Sequence, residues 1–162
     1  TNRERGILQG CEPNRIGIEL RENSRKEFAV KDVILCVDDE AIILLSLKQQ
    51  LRREFGSDFA YETARSGDEA LDILEEMKRE GQNLALIISD WLMPGLAGDE
   101  LIIRIKGRSP ETKAIVVTGH ANEKRIGELK NDKLICGVVS KPWSHVTLVK
   151  IVRTCLVSAG EP

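Results

Sequence analysis

The sequence has no apolar run approaching the ~18 residues that a membrane-spanning helix needs, and its first ten residues, Thr1 to Gly10, have no apolar core of the kind a secretory signal carries. It shows no strong charge bias. The net charge is −2, which provides no general attraction to nucleic acid or to an anionic membrane. It has few cysteines. Cys11, Cys36, Cys136 and Cys155 lie far apart, and no pair has metal-ligand spacing. Cys36 and Cys136 fall in apolar runs, where cysteine acts as a small hydrophobe, so a reducing, cytoplasmic setting is the simplest fit. There is no internal repeat, no low-complexity segment and no Gly-rich phosphate loop, which argues against nucleotide binding.

What remains is an ordinary globular composition. The chain has 162 residues, 41% hydrophobic and 31% charged, enough for one domain with a sizeable core. It begins with Thr, and we read it as processed or as a fragment of a longer protein. Residues 1–31 mix charges of both signs with Gly6, Gly10, Pro13 and Gly17, which suits an arm or linker; Ile16, Ile18 and Leu20 alternate as in a short strand. The pattern sharpens over residues 32–158, and 159–162 form a tail.

Within 32–158 the periodicity alternates between two and 3.6. Val33–Val37, Phe59–Ala64, Leu84–Ser89, Ala114–Thr118 and part of Leu134–Val139 read as strands. Between and after them, helical faces are spelled by Leu44, Leu47, Leu51 and Phe55; by Ala70, Leu71, Leu74 and Met77; and by Leu101, Ile102 and Ile105, with Gly107 at that helix's end. A fourth helix runs from an Asn122 cap to about Asn131. A fifth, capped by Ser144, presents Val146, Val149, Val152 and Leu156. Five apolar strands alternating with five helices predict a parallel sheet covered on both faces.

The chemistry sits where the strands stop. The first strand ends at Asp38-Asp39, the third at Asp90 before the chain-breaking Pro94-Gly95, the fourth at Thr118-Gly119 and the fifth at Ser140-Lys141-Pro142. Parallel strands put these ends on one edge, where ligands bind in open α/β sheets. Three carboxylates gathered there would repel one another and raise their pKa values, and a hard divalent cation would relieve this. All-oxygen ligation favours magnesium, then manganese. With Lys141 and Thr118 beside it, the edge becomes a receptor for a dianionic oxyanion, and phosphoryl transfer asks little more of a protein than such positioning and neutralisation. Asp90, on the middle strand, is the candidate nucleophile. Taken singly, these residues have plainer uses: Asp38 and Asp39 suit a helix N-terminus, and Thr118 suits a strand. Trp91 and Trp143 read as packing residues, and His120 and His145 as solvated.

Val-Asp-Asp-Glu at 37–40, Ser-Asp-Trp-Leu-Met-Pro-Gly at 89–95, Val-Thr-Gly at 117–119 and Ser-Lys-Pro-Trp at 140–143 resemble the receiver domain of two-component response regulators. The resemblance covers roughly residues 32–158. It implies a flavodoxin-like, doubly wound five-stranded sheet of order 2-1-3-4-5. It implies a phosphoacceptor role for Asp90 and magnesium ligation by Asp38, Asp39, Asp90 and the backbone carbonyl of Leu92. It also implies a mobile hydroxyl at Thr118, a phosphoryl-pairing lysine at Lys141 and a cis Lys141-Pro142 bond. The implied donor is a histidine kinase or a histidine phosphotransfer protein. The implied output face is the fourth helix, fifth strand and fifth helix, with Lys124, Arg125, Glu128, Lys130, Lys150 and Arg153, acting on a partner, a missing output domain or a second copy. Such a module modifies only itself and is not a metabolic enzyme.

The sequence departs from the family at Val138, where an aromatic is common, so the usual rotating-aromatic switch is absent or altered. Leu92 and His120 flank the acceptor, where they would influence hydrolysis. A receiver-like binding module with little phosphorylation is the alternative. A haloacid-dehalogenase-like hydrolase would need an acid at position 92, which is Leu. The residues outside 32–158 are too few for a DNA-binding unit.

Overall fold

The computed structural model describes residues 30–120 and 122–157. The strand reading at Ile16, Ile18 and Leu20, the arm over 1–29 and the tail 159–162 lie outside the described residues.

Five strands, β1 (Val33–Val37), β2 (Ala60–Ala64), β3 (Leu84–Asp90), β4 (Lys113–Thr118) and β5 (Gly137–Ser140), pair in parallel in the order β2-β1-β3-β4-β5. Among the described residues the helices are α1 (Ala41–Phe55), α2 (Gly67–Arg79), α3 (Gly98–Arg108), α4 (Glu123–Asn131) and α5 (His145–Val157). The expected fold class, sheet order and placement of helices on both faces are therefore observed.

Strand pleating divides the core in two. Val33, Leu35, Val37, Ile87 and Val116 face α2, α3 and α4, meeting Ala70, Leu74, Met77, Leu101, Ile102, Ile105, Ile126 and Leu129. Ile34, Cys36, Leu86, Ile88, Ile115 and Val117 face α1 and α5, meeting Leu44, Leu47, Leu51, Leu148 and Val152. β1 is buried at every position, as a central strand covered on both faces must be.

Local signals set the helix ends. Ser66 Oγ accepts the Glu69 N–H at 3.1 Å, and the Glu69 carboxylate reaches back to the Arg65 N–H at 2.6 Å, a reciprocal cap that starts α2. Gly81, at φ 69°, turns the chain away after that helix. Asn122 Oδ1 accepts the Arg125 N–H at 3.2 Å, and Ser144 Oγ accepts the Thr147 N–H at 3.1 Å, so both expected caps are in place.

Two expectations on helix packing need correction. Gly107 does not end α3; it lies inside the helix, which runs on to Arg108 and is followed by Ser109. In α5 the inward stripe is Leu148, Val152 and Cys155, while Val146 is 75% exposed. The helix is valine-rich on more than one face, so apolar spacing alone allowed two rotations. The tight approach of α5 to Gly137 selects the observed one, since a Cβ there would lie 2.4 Å from Ile151 Cγ2.

Gly98 fixes the site end of the sheet. Its N–H donates to the Trp91 carbonyl at 3.1 Å, and a Cβ on it would lie 1.9 Å from the Asp90 carbonyl oxygen. Gly98→Ala should therefore destabilise the fold by about 2–3 kcal/mol. Gly107→Ala, with nothing within 4 Å of the new Cβ, should stabilise it by roughly 0.5–1 kcal/mol. Urea unfolding of the two variants checks both signs; equal effects would contradict this account of Gly98.

Candidate functional site

Parallel register does the first part of the assembly. Val37 pairs with Ser89, Asp90 with Val117, and Thr118 with Ser140. The residues at or just after these positions, Asp38, Asp90, Thr118 and Lys141, thus share one edge. The Lys141-Pro142 bond is cis, as expected.

Carboxylate oxygens of Asp38, Asp39 and Asp90 lie within 4.8 Å of one another. Asp38 is 1% exposed and Asp90 7%. Asp38 is held from two sides: its N–H donates to the Ala64 carbonyl at 3.1 Å, and its Oδ1 accepts the Glu40 N–H at 2.9 Å. The Arg65 guanidinium donates to the Asp39 carbonyl at 3.1 Å. The Lys141 ammonium donates to Asp38 Oδ2 at 2.7 Å and to Asp90 Oδ2 at 3.2 Å, with Glu40 Oε1 at 3.8 Å. An ammonium between two buried carboxylates satisfies their lone pairs, but Asp38, Asp39, Asp90 and the more distant Glu40 together outnumber the Lys141 ammonium and the Arg65 guanidinium. The donor set is hard oxygen and electron-rich, which fits a magnesium-type cation held by Asp38, Asp39 and Asp90.

The charge imbalance shows in the titration of the site. Burial pushes the Asp90 carboxyl above the ordinary carboxylate range; Lys141 opposes this and the neighbouring Asp38 adds to it. For Lys141 the largest single influence is burial, which lowers its pKa, but the hydrogen bonds and charges of Asp38 and Asp90 together outweigh it and hold the ammonium above its usual value.

The other expected site residues are placed as follows. Thr118 is buried, and its Oγ1 accepts the His120 N–H at 3.1 Å; its backbone carbonyl accepts the Lys141 N–H at 2.9 Å. His120 is exposed. Leu92, two residues after Asp90, is 60% exposed, and Ile42 and Leu45 in the first turns of α1 are exposed as well. Val138 is half-buried against the core. Trp91 packs in the core, and Trp143 donates to Gln50 Oε1 at 3.3 Å, so both are packing residues. His145 lies 3.7 Å from Glu54. On the expected output face, Arg125 is held by Asp99 at 3.2 Å and Glu128 at 3.0 Å. Arg153 pairs with Glu54 and stacks 5.3 Å over the Phe55 ring, which turns it toward α1.

Sequence reasoning missed Glu40, Arg65 and Gly98 as parts of the site. Glu40 and Arg65 follow strand ends directly, which is a legible signal. Gly98 acts through the space it leaves, which has no chemical signature.

Because folding favours the neutral form of Asp90, its contribution to stability is present below the ordinary carboxylate pKa and is lost as pH rises through the raised value. At pH 7 in chelator, Asp90→Asn should therefore melt at a higher temperature than the wild type, and the gap should close on acidification. Thermal melts from pH 4 to 8 check this; a lower-melting variant at pH 7 would contradict it.

The family model for the response regulator receiver domain matches residues 34–153. The hydrogenase transcriptional regulatory protein HoxA of Cupriavidus necator is 32% identical over 127 residues, 78% of this chain and 24% of that protein. The sensor kinase CckA of Brucella abortus is 29% identical over 138 residues, 85% of this chain and 14% of that protein. The chain thus spans a quarter or less of the length of these relatives. Among solved structures, the signal receiver domain of an HD-domain-containing protein from Pseudomonas fluorescens Pf-5 aligns with a TM-score of 0.68 at 29% identity, over 80% of this chain and 97% of that one. A CheY-like receiver domain protein from Methanospirillum hungatei aligns at 0.67 and 27% identity, over 80% and 96%. With matching sequence, sheet order and acid cluster, the chain belongs to the family of response regulator receiver domains.

Proposed function

We propose that this chain is a phosphorylation-controlled receiver in which Asp90 accepts a phosphoryl group from a phosphohistidine on a histidine kinase or phosphotransfer protein. The observation that carries this reading is the joint geometry of the acids and Lys141: three carboxylates within 4.8 Å and one ammonium bridging two of them. In the reaction an Asp90 carboxylate oxygen bonds to phosphorus as the phosphorus–nitrogen bond to the donor breaks, and the histidine leaves as the neutral imidazole after taking up a proton. Lys141 is placed to pair with the added phosphoryl oxygens. Thr118 and the backbone beside it supply a hydroxyl and N–H groups that can turn toward them. Asp38 and Asp39, with Asp90 and the Leu92 carbonyl, would hold magnesium, or manganese, whose chemistry is to neutralise charge on the carboxylates and on the transferring oxygens.

The exposed Leu92, Ile42 and Leu45 give the edge an apolar rim, which suits a protein donor better than a small polar one. Output by contact through α4, β5 and α5, to a partner, an attached domain or a second copy, follows the family resemblance. We assign the receiver to residues 32–158 and place it in the cytoplasm. Among the described residues no helix is long and apolar enough to cross a membrane. The chain would catalyse only its own phosphorylation and hydrolysis. Val138 supports a second reading, a contact module with weak phosphorylation, because a small side chain packed on the core cannot swing as an aromatic would.

Incubation with acetyl phosphate and magnesium should add one phosphoryl group to the wild type by intact mass, and none to Asp90→Asn or to chelated samples. Lys141→Ala should bind magnesium but react at least tenfold more slowly, on the order of 1.4 kcal/mol in barrier. No addition to the wild type despite magnesium binding would move the assignment to the contact module. Leu92→Asn should speed loss of the phosphoryl group several-fold by admitting water, and His120→Ala should also change that rate. Unchanged lifetimes in both would exclude them as modulators.

A further inference from the structure

A second reactive pair lies at the opposite end of β5. Cys136, in the turn before that strand, and Cys155, in the last turns of α5, form a disulfide with their Cα atoms 5.6 Å apart. This corrects the expectation that Cys136 acts as a small core hydrophobe. Sequence separation concealed the pair, and Gly137 creates it. Its missing Cβ lets α5 approach until Ile151 Cγ2 would lie 2.4 Å, and Cys155 Sγ 3.5 Å, from the position a Cβ would take.

The two sulfurs sit in different surroundings. Cys155 is 1% exposed. Cys136 is exposed on the rim of a groove of about 530 Å³, beside Val138, Val146, Lys150 and Ile151. Cys36, the remaining described cysteine, is buried in the core, and burial raises its thiol pKa to about 12. A thiol held protonated and out of solvent is inert, so among the described residues thiol chemistry falls to the pair. In a reducing compartment disulfides are usually transient and redox-sensing. A bond that has an exposed cysteine on the rim of a groove as one partner is also open to exchange with thiols.

We propose that Cys136 and Cys155 form a reversible oxidative modification site, closed by a hydroperoxide and opened by a dithiol, which fastens the end of α5 to the start of β5 in one redox state and releases it in the other. In closing, the Cys136 thiol gives up its proton, the thiolate attacks hydrogen peroxide, the O–O bond breaks and the departing hydroxide takes up that proton, leaving a sulfenic acid and one water. The Cys155 thiol then attacks that sulfur, forms the S–S bond and expels a second water. Two thiols and one peroxide thus give one disulfide and two waters. In opening, a thiolate of the dithiol attacks the Cys136 sulfur from the groove side, and Cys155 leaves and takes up a proton. The dithiol's second sulfur then displaces Cys136 as a thiol, leaving the reagent oxidised. The site depends neither on Asp90 nor on a bound metal.

The test uses the full chain with Cys11→Ser, so that Cys36, Cys136 and Cys155 are the thiols present. Samples are reduced with dithiothreitol, treated natively with hydrogen peroxide, re-reduced natively, and at each stage alkylated in denaturant and weighed. The reduced chain should take a label on all three cysteines. The oxidised chain should take one, on Cys36, and lose the mass of two hydrogens, and native re-reduction should restore all three. The oxidised form should melt several degrees above the reduced one, a shift that Cys136→Ser abolishes. This substitution lies at an exposed position, so it leaves the core intact where Cys155→Ser alters it. All three labels surviving peroxide would overturn the proposal. So would a single label persisting after native re-reduction, because the bond would then be a fixed staple.

Discussion

The site is organised by one ammonium placed among three acids. Lys141 reaches Asp38 at 2.7 Å and Asp90 at 3.2 Å, across 103 and 51 residues of chain. Without that charge, a 1%-exposed Asp38 and a 7%-exposed Asp90 would stand side by side with no counter-charge, an arrangement that costs several kcal/mol per ion in a protein interior. With it, the edge is tolerated and still carries a negative excess. The order of the strands makes this contact possible: β1 and β3 are neighbours, which brings Asp38 and Asp90 together, and β5 ends at the same edge, from which Lys141 reaches them.

The tension left in this arrangement is what suits it to chemistry. Asp90 titrates above its ordinary range because burial outweighs the help of Lys141. A carboxylate in that condition gains from any ligand that adds positive charge or spreads its own. On the proposed reading, the residues that crowd negative charge at this edge would be the ones to take up a divalent cation, with Lys141 beside them to pair with a phosphoryl group. The backbone is correspondingly tight: Gly98 lies against the Asp90 carbonyl, and Trp91 bonds into β4 through the Val117 carbonyl at 3.2 Å.

Much of this was legible in the sequence, because the signals were local. Four of the strands are short apolar runs that stop at a polar residue, so the ends of β1, β3, β4 and β5 mark the candidate site in the sequence itself, whereas β2 carries Glu62 and Thr63 and ends at Ala64. Asn122 and Ser144 marked helix starts because a hydroxyl or amide is needed there to accept free N–H groups. What escaped depends on three-dimensional approach. The disulfide is invisible in two cysteines 19 residues apart, and the rotation of α5 cannot be chosen from a helix with valines on several faces. Gly107 carried the residue type of a helix end, but α3 runs one residue further, to Arg108. Gly98 and Gly137 work by leaving room, which a sequence records only as glycine.

The central claim is that the acceptor is Asp90 and no other acid of the cluster. Borohydride reduction of the phosphorylated protein converts an aspartyl phosphate to homoserine, and peptide mapping then locates the converted residue. The account predicts homoserine at position 90 alone, in a magnesium-dependent amount. Conversion at Asp38 or Asp39, or none in a protein that has gained a phosphoryl group, would contradict it.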